Sequence, residues 1–264
     1  MRKGEVVLSA GTVLRPQEFG VLATVGRTTI AVVPRPRVAI LCTGDEIVDA
    51  SQKPEPGQIR NGNGPMLQAQ VARSGGIPHY LGIARDRVEE LRTRIKEGLQ
   101  SDLLVLSGGV SAGKLDLVPG VLQELGVQAH FHKVEMKPGK PVFFGTSDRT
   151  LVFGLPGNPV SALVCFELFV RPAIRRLAGH EKPGPFFVEA SLAEDFAYKT
   201  DRPTYYPAWL DWKEKAHQVR PVPWFGSPDL RALTRANAFI FIAAGEHQLA
   251  AGQLVSVMKA EDES

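Results

Sequence analysis

The 264-residue chain predicts an α/β protein: a mostly parallel sheet sandwiched by helices, followed by a small β-barrel-like C-terminal domain. Three observations predict it. Short, wholly apolar runs such as Val38–Cys42 and Leu103–Leu106 recur, as strands buried on both faces require. Segments with apolar residues at helical spacing lie between them, an alternation that argues for parallel strands joined by helical crossovers. Beyond His180–Pro185, a polar stretch bearing Pro and Gly, strand follows strand, which reads as a small barrel. The expected division is residues 1–35, an opening too small to hold a core; 36–179, the α/β domain; and 180–264, the β-rich domain.

In order along the chain, Pro16–Gly26 reads as a helix, with Pro16 in the first turn and Gly26 as the stop. Thr28–Val33 is β-branched and reads as a strand, with Pro34 and Pro36 beyond it. Val38–Cys42 opens the sheet. Met66–Arg73 has helical spacing and ends at Gly75-Gly76, and Tyr80–Ala84 is strand-like. Arg87–Leu99 puts Leu91, Ile95 and Leu99 on one face. Leu103–Leu106 is a buried strand, Val118–Leu125 a helix with Pro119 in its first turn, and Val142–Phe144 and Leu151–Phe153 are short strands. A long helix is expected over Asn158–Leu177, with Asn158 as N-cap and an apolar stripe of Leu163, Phe166, Val170, Ile174 and Leu177. The later strands are Phe187–Leu192, Tyr205–Trp212, Gln218–Val222, Ala238–Ile242 and Leu254–Met258, with one short helix at Pro228–Arg235.

Composition narrows the function classes. Hydrophobic residues make up 44% and charged residues 22%, ordinary for a globular protein. A net charge of +3 is too weak to argue for nucleic acid. The longest apolar run, Ala238–Ala244, falls far short of the ~20 residues a spanning helix needs, so no membrane segment is expected. No apolar leader is visible at the N-terminus. Cys42 and Cys165 stand alone in apolar runs and read as buried free thiols, which points to a reducing, cytoplasmic setting.

Four loops could carry chemistry, because ligands of open parallel sheets sit beyond the carboxyl ends of the strands. Ser107–Lys114 (SGGVSAGK) could close its backbone N–H groups on an anion, or it could be a tight strand-to-helix turn. Leu115 stands where a Walker loop needs Ser or Thr, which argues against that motif. Asp116 follows, suited either to capping the next helix or to holding Mg²⁺ against a phosphate. Thr43–Glu46 (TGDE) sets two acids at the same edge, or is a solvated turn. Met136–Pro141 (MKPGKP) restrains two lysines that could clamp an oxyanion, or is an ordinary exposed loop. Gly154–Ser161 (GLPGNPVS) turns into the long helix and offers a second anion site. His130 and His132 share a strand face, but a pair with no third ligand reads as structural rather than metal-binding.

Thr43–Val48 (TGDEIV), Gly57–Ile59 (GQI) with Asn63, Ser107–Asp116 (SGGVSAGKLD), Met136–Pro141 (MKPGKP) and Gly154–Val164 (GLPGNPVSALV) together resemble the MoeA/gephyrin-E family, the molybdopterin molybdenumtransferases. The resemblance covers residues 36 to 178 and extends weakly to both ends. Tyr205 onward, with Gly226-Ser227 and Ala236-Asn237, is similar to the family's C-terminal β-domain. The resemblance implies insertion of molybdate into adenylated molybdopterin, assisted by Mg²⁺, with release of AMP. By position it implies that Asp116 is the essential metal-handling acid, with Glu46 as a second metal-binding acid and Asp86 as a further catalytic one. Thr43, Asn63, Ser107, Gly108, Gly109, Ser111, Gly113, Pro156, Asn158 and Pro159 would then hold the pterin or nucleotide. Lys137, Lys140, Ser161, Arg202 and Ser227 would cradle molybdate. A homodimer and a molybdopterin adenylyltransferase partner are implied as well. Two departures stand out. Asn61 occupies a position where many relatives carry Asp. The chain also begins inside the family's pattern, so it is expected to be an N-terminally truncated member with residues 1–35 as the remnant of an N-terminal domain. Two other readings stay open: molybdopterin adenylylation, against which the KPGKP loop and the C-terminal domain count, and a non-catalytic molybdopterin-binding scaffold.

Overall fold

The structure is a computed structural model that describes residues 1–110, 117–213 and 215–260. After helix α1 (Pro16–Thr24), the chain runs β1 (Arg37–Thr43), β2 (Ile47–Val48), β3 (Ile59–Arg60), α2 (Asn63–Arg73), β4 (Ile77–Ala84), α3 (Val88–Gly98) and β5 (Leu103–Ser107). It continues through α4 (Val118–Glu124), β6 (Gln128–Phe131), β7 (Phe143–Thr146) and β8 (Leu151–Leu155) into α5 (Pro159–Cys165), a π-helical turn (Phe166–Val170) and α6 (Arg171–Leu177).

Six of these strands form one sheet in the order β4-β1-β5-β8-β7-β6. The four from β4 to β8 are parallel, and β7 and β6 complete the edge antiparallel. Every residue of β1 after Arg37 is buried, and the pleat divides them between two layers. Val38 and Ile40 pack with Leu67 and Val71 of α2 and with Val160 and Phe166, whereas Ala39 and Leu41 pack with Leu91 and Ile95 of α3 and with Val121 and Leu122 of α4. Apolar runs without alternation are what a sheet covered on both faces demands.

The expected long helix is continuous in direction but not in hydrogen bonding. Pro172 has no N–H to give the Leu168 carbonyl, and the turn just before it widens to π geometry. Phe166, Val170 and Ile174 of the expected stripe are buried, but Leu177 at its end is exposed. Asn158 sits at the N-cap without capping through its side chain. Thr28–Val33 is not a strand. It carries no helix or strand and is exposed, with Val32 and Val33 more than half accessible, and no described strand offers it a ladder.

Residues 178–186 carry no helix or strand. Beyond them come β9 (Phe187–Leu192), β10 (Phe196–Thr200), β11 (Thr204–Lys213), β12 (Ala216–Pro221), α7 (Leu230–Leu233), β13 (Ala238–Ile242), β14 (Gly245–Leu249) and β15 (Leu254–Lys259). The order β11-β12-β9-β15-β13 closes into a barrel around Ala190, Leu192, Ala208, Val219, Ile240 and Val257, while β10 and β14 form a separate antiparallel pair. The barrel is fixed to the sheet unit: Phe239 and Met258 are buried in the core that also holds Leu155 and Phe166. Arg73 of α2 donates to the Ala260 carbonyl just past β15 at 2.8 Å. No helix among the described residues is long and apolar enough to cross a membrane.

Candidate functional site

Strand register brings the carboxyl-end loops together. Cys42 lies opposite Ser107, Ser107 opposite Leu155, and Thr43 opposite Ala84, so four loops leave the sheet at one level. Thr43 is buried and touches the loop after β5. A Cβ on Gly108 would stand 2.4 Å from the Thr43 carbonyl, and one on Gly109 would stand 2.7 Å from Thr43 Oγ1. Both glycines have left-handed φ, +93° and +62°, so the backbone passes Thr43 only because neither carries a side chain. The Thr43 hydroxyl has no hydrogen-bond partner among the described residues.

Asn63, at the start of α2, donates from Nδ2 to Ser107 Oγ and to the Gly157 carbonyl, both at 2.8 Å. It thereby ties the end of β5 to the Pro156–Asn158 turn after β8. The Gly108 N–H donates to the Leu155 carbonyl at 3.1 Å, closing the same contact from the other side. Asn61 accepts from the Gly64 N–H at 2.9 Å and donates to Tyr80 Oη at 2.7 Å, so it anchors the first turn of α2 to the edge strand β4.

The acids expected at this edge divide. Glu46 and Asp86 lie in the neighbouring loops after β1 and β4, both exposed. The loops are joined directly: the Asp86 N–H donates to Asp45 Oδ1 at 3.1 Å, and Arg85 Nη1 reaches the Asp45 and Ile47 carbonyls. The Glu46 carboxylate folds back over Gly44, within 2.7 Å of where a Cβ there would sit. Ser111, Gly113 and Asp116 lie outside the described residues.

Lys137, Lys140, Ser161, Arg202 and Ser227 line one cavity of about 320 Å³ where the sheet unit meets the barrel, together with Pro156 and Asn158. The lysine loop is stitched to the barrel by its backbone. The Lys137 N–H donates to the Pro203 carbonyl and the Tyr205 N–H to the Lys137 carbonyl, each at 2.8 Å. The loop runs through a cis Lys137–Pro138 bond, and Gly139, at φ +106°, sits so close to Cys165 that a Cβ there would meet Sγ at 2.4 Å. Lys137 Nζ stands 5.4 Å from the centre of the Tyr198 ring. From the other wall, Asn158 Nδ2 donates to Ser227 Oγ at 2.9 Å, and the Val160 N–H donates to the Ser227 carbonyl at 3.1 Å.

Pro159 adjoins this wall as the first residue of α5. The turn that bears Pro156 and Asn158 on the cavity thus contacts Asn63 through Gly157, so the glycine edge and the cationic cavity share one segment.

Sequence reasoning missed three cavity features. Asp201 lines the wall beside Arg202, Glu135 pairs with Lys140, and Trp224 lines the cavity as well. The acids were signalled only by lying next to, or two residues from, a singled-out cation. Burial pushes the Cys42 thiol up to about 11, and that of Cys165 upward too, so both remain protonated packing groups. His130 Nε2 lies 2.8 Å from Thr146 Oγ1 and His132 Nε2 lies 2.7 Å from the Val110 carbonyl, so each histidine has its own structural contact.

Residues 39–176 match the family model of a probable molybdopterin binding domain, and residues 189–260 match that of the MoeA C-terminal region, domain IV. Across its whole length the chain is 35% identical to the molybdopterin molybdenumtransferase of Bacillus subtilis strain 168 and 32% identical to that of Staphylococcus aureus strain Mu50. It covers 61% and 63% of those proteins, so it spans less than two thirds of the relatives it matches. Among solved structures it is similar to the molybdopterin biosynthesis MoeA protein from Pyrococcus horikosii, with a TM-score of 0.81 and 30% identity over 96% of this chain and 61% of that one.

Proposed function

The chain belongs to the MoeA family, and from that premise we propose that it serves molybdenum cofactor biosynthesis by inserting molybdate into adenylated molybdopterin with release of AMP. The observation that carries this reading is the cavity in which Lys137, Lys140, Ser161, Arg202 and Ser227 meet. Three cations and two hydroxyls suit a tetrahedral dianion, which takes charge from the first and hydrogen bonds from both. Lys137 and Lys140 come from a loop held by Pro138, Pro141 and the barrel backbone, so little backbone freedom remains to be lost on binding.

The glycine edge would receive the pterin and its phosphates. Gly108 and Gly109 put no side chain over the edge, the Thr43 hydroxyl has no partner among the described residues, and Asn63 and Ser107 fix the wall, while Ser111 and Gly113 would contribute from the same motif. Pro156, Asn158 and Pro159 border both regions, which would set the pterin beside the molybdate.

Mg²⁺ takes oxygen ligands, keeps one or two carboxylates, and fills its shell with phosphate oxygens and water. Glu46 and Asp45, with Asp86 from the adjoining loop, would supply donors of that type. No three His, Cys, Asp or Glu among the described residues could hold a metal alone, so Asp116 and the substrate phosphates would complete the set. When bound, Mg²⁺ would neutralise phosphate charge as the adenylate is cleaved. A homodimer, a molybdopterin adenylyltransferase partner and a cytoplasmic location belong to the same proposal.

The test is AMP release from adenylated molybdopterin with molybdate and Mg²⁺, by the parent and by Asp116→Asn and Arg202→Ala. Asp116→Asn should release AMP ~100-fold more slowly, about 2.7 kcal/mol of transition-state stabilisation, with an unchanged melt. Arg202→Ala should raise the molybdate requirement. If Asp116→Asn melts normally and releases AMP at the parent rate, Asp116 is not a metal-handling acid.

A further inference from the structure

Two of the three cations facing the cavity already hold carboxylates. Arg202 forks onto its neighbour Asp201: Nε lies 3.2 Å from Oδ1 and 3.1 Å from Oδ2, and Nη2 meets Oδ2 as well. Lys140 Nζ lies 3.1 Å from Glu135 Oε1. The third, Lys137, rests over the Tyr198 ring. Both acids are open to water, 66% for the Asp201 side chain and 73% for Glu135, whereas Arg202 is only 25% exposed. The hydrogen bonds from Arg202 hold the Asp201 carboxyl below the usual carboxylate range, so it stays ionised near neutral pH.

A carboxylate and one edge of a tetrahedral oxyanion offer a guanidinium the same pair of oxygens. Asp201 therefore occupies the fork that an incoming anion would use. Exposed ion pairs contribute little, because water screens them and each ties up two mobile side chains. Asp201 and Glu135 can swing out to solvent at small cost. A monoanion that displaces Asp201 only exchanges one single charge for another. A dianion gains more, because it brings twice the charge and reaches Arg202, Lys137 and Lys140 together.

We propose that Asp201 and Glu135 are resident competing anions that set the selectivity of this cavity, holding Arg202 and Lys140 as seen here and yielding to a tetrahedral dianion but not to a monoanion. The inference rests on the oxyanion reading above and deepens it, assigning the exclusion of carboxylate-like anions to two acids rather than to the cations. The contrary view makes the two acids props that aim the cations, in which case removing them weakens binding.

The test is calorimetric titration of the 264-residue chain with molybdate, sulfate and formate, for the parent, Asp201→Asn, Glu135→Gln and the double variant. Asp201→Asn should tighten molybdate and sulfate roughly twofold to fivefold and bring formate into measurable range, the scale expected when an exposed competitor is removed. Glu135→Gln should do the same to a smaller degree, since Lys140 is itself 42% exposed. Thermal melts should not move. If the parent binds molybdate while Asp201→Asn binds it equally or more weakly, or if the dianion-to-formate ratio is unchanged, the proposal falls and the oxyanion reading stands. If no oxyanion binds the parent or any variant, both fall.

Discussion

Asn158 gives its Nδ2 hydrogen to Ser227 Oγ at 2.9 Å, joining the first residue before α5 to a loop of the barrel across the cationic cavity. The usual use of Asn at this position is to cap its own helix, and here the side chain does not do so. The bond across the cavity has replaced the cap.

That exchange sets up the first prediction. Asn158→Asp restores a residue that ranks equally as a cap, so stability should change by a few tenths of a kcal/mol at most. The new carboxylate would face Lys137, Lys140 and Arg202, take the anion's place and lower molybdate affinity, by ~10-fold if it costs about 1.4 kcal/mol. Ser227→Ala should lower affinity less, because it removes one hydroxyl and adds no charge. Calorimetric titration alongside a thermal melt separates the two effects.

A second prediction concerns the approach of the β5 loop to Thr43. Ala at 108 would press its Cβ to 2.4 Å from the Thr43 carbonyl, and φ is +93°. Left-handed strain of ~1–2 kcal/mol and overpacking of ~1–3 kcal/mol both apply, so Gly108→Ala should cost about 2–5 kcal/mol. Gly82 provides the control: its φ is +91° but nothing lies within 4 Å of its added Cβ. Gly82→Ala should show the strain alone, about 1–2 kcal/mol. Urea melts of the two variants give the difference.

The contrast between these glycines and other elements shows what the sequence made legible. Val38–Cys42 and Leu103–Leu106 were readable because burial on both faces removes alternation. Three of the four loops were readable because Gly or Pro follows the strand at once, and the fourth, Met136–Pro141, because Pro and Gly recur within it. Thr28–Val33 misled because β-branched composition reports a fit to a sheet surface and not the presence of a partner. Strands β10 and β14 escaped because they pair only with each other, and Lys199 and Glu246 make them look like polar loop. The antiparallel β7 had a signal that went unread: only residues 147–150 separate it from β8, too few for a parallel crossover. Within the site, the cations were visible as motif residues. Asp201 and Glu135 belong to no motif and acquire meaning only when folding faces them with Arg202 and Lys140.

Cys165 and Gly139 furnish a third prediction. The thiol donates to the Gly139 carbonyl at 3.5 Å and fills the space a Cβ would need. Gly139→Ala should cost ~3 kcal/mol and loosen oxyanion binding, since the loop carries both lysines. Cys165→Ala alone should cost about 1 kcal/mol for the lost packing. Combined, the two should recover ~1–2 kcal/mol relative to their sum, because the clash is gone while the strain at φ +106° remains. A double-mutant cycle by denaturant unfolding measures that coupling, and strict additivity would mean the thiol does not set the height of the loop.

The last prediction concerns Glu167, whose side chain is wholly inaccessible within the π-helical turn. Gln70 Nε2 meets its Oε1 at 2.9 Å, Arg73 Nη2 meets the same oxygen at 3.1 Å, and Arg171 Nε faces Oε2 at 3.1 Å. Burial pushes this carboxyl above its usual range, and the attraction of Arg171 with the bonds from Gln70 and Arg73 only partly offsets the push. A raised pKa means that the native state keeps the proton to a higher pH than the unfolded chain does. The site's contribution to stability is then full below the usual carboxylate range and is lost as pH rises through the raised value. Glu167→Gln preserves the neutral shape and does not titrate, so it should remove this decline. Above about pH 4, the stability of the parent relative to Glu167→Gln should fall as pH rises. Urea midpoints at several pH values measure the trend. A gap that widened in the parent's favour would show that attraction by the two guanidiniums outweighs burial, and that the carboxyl sits below its usual range instead.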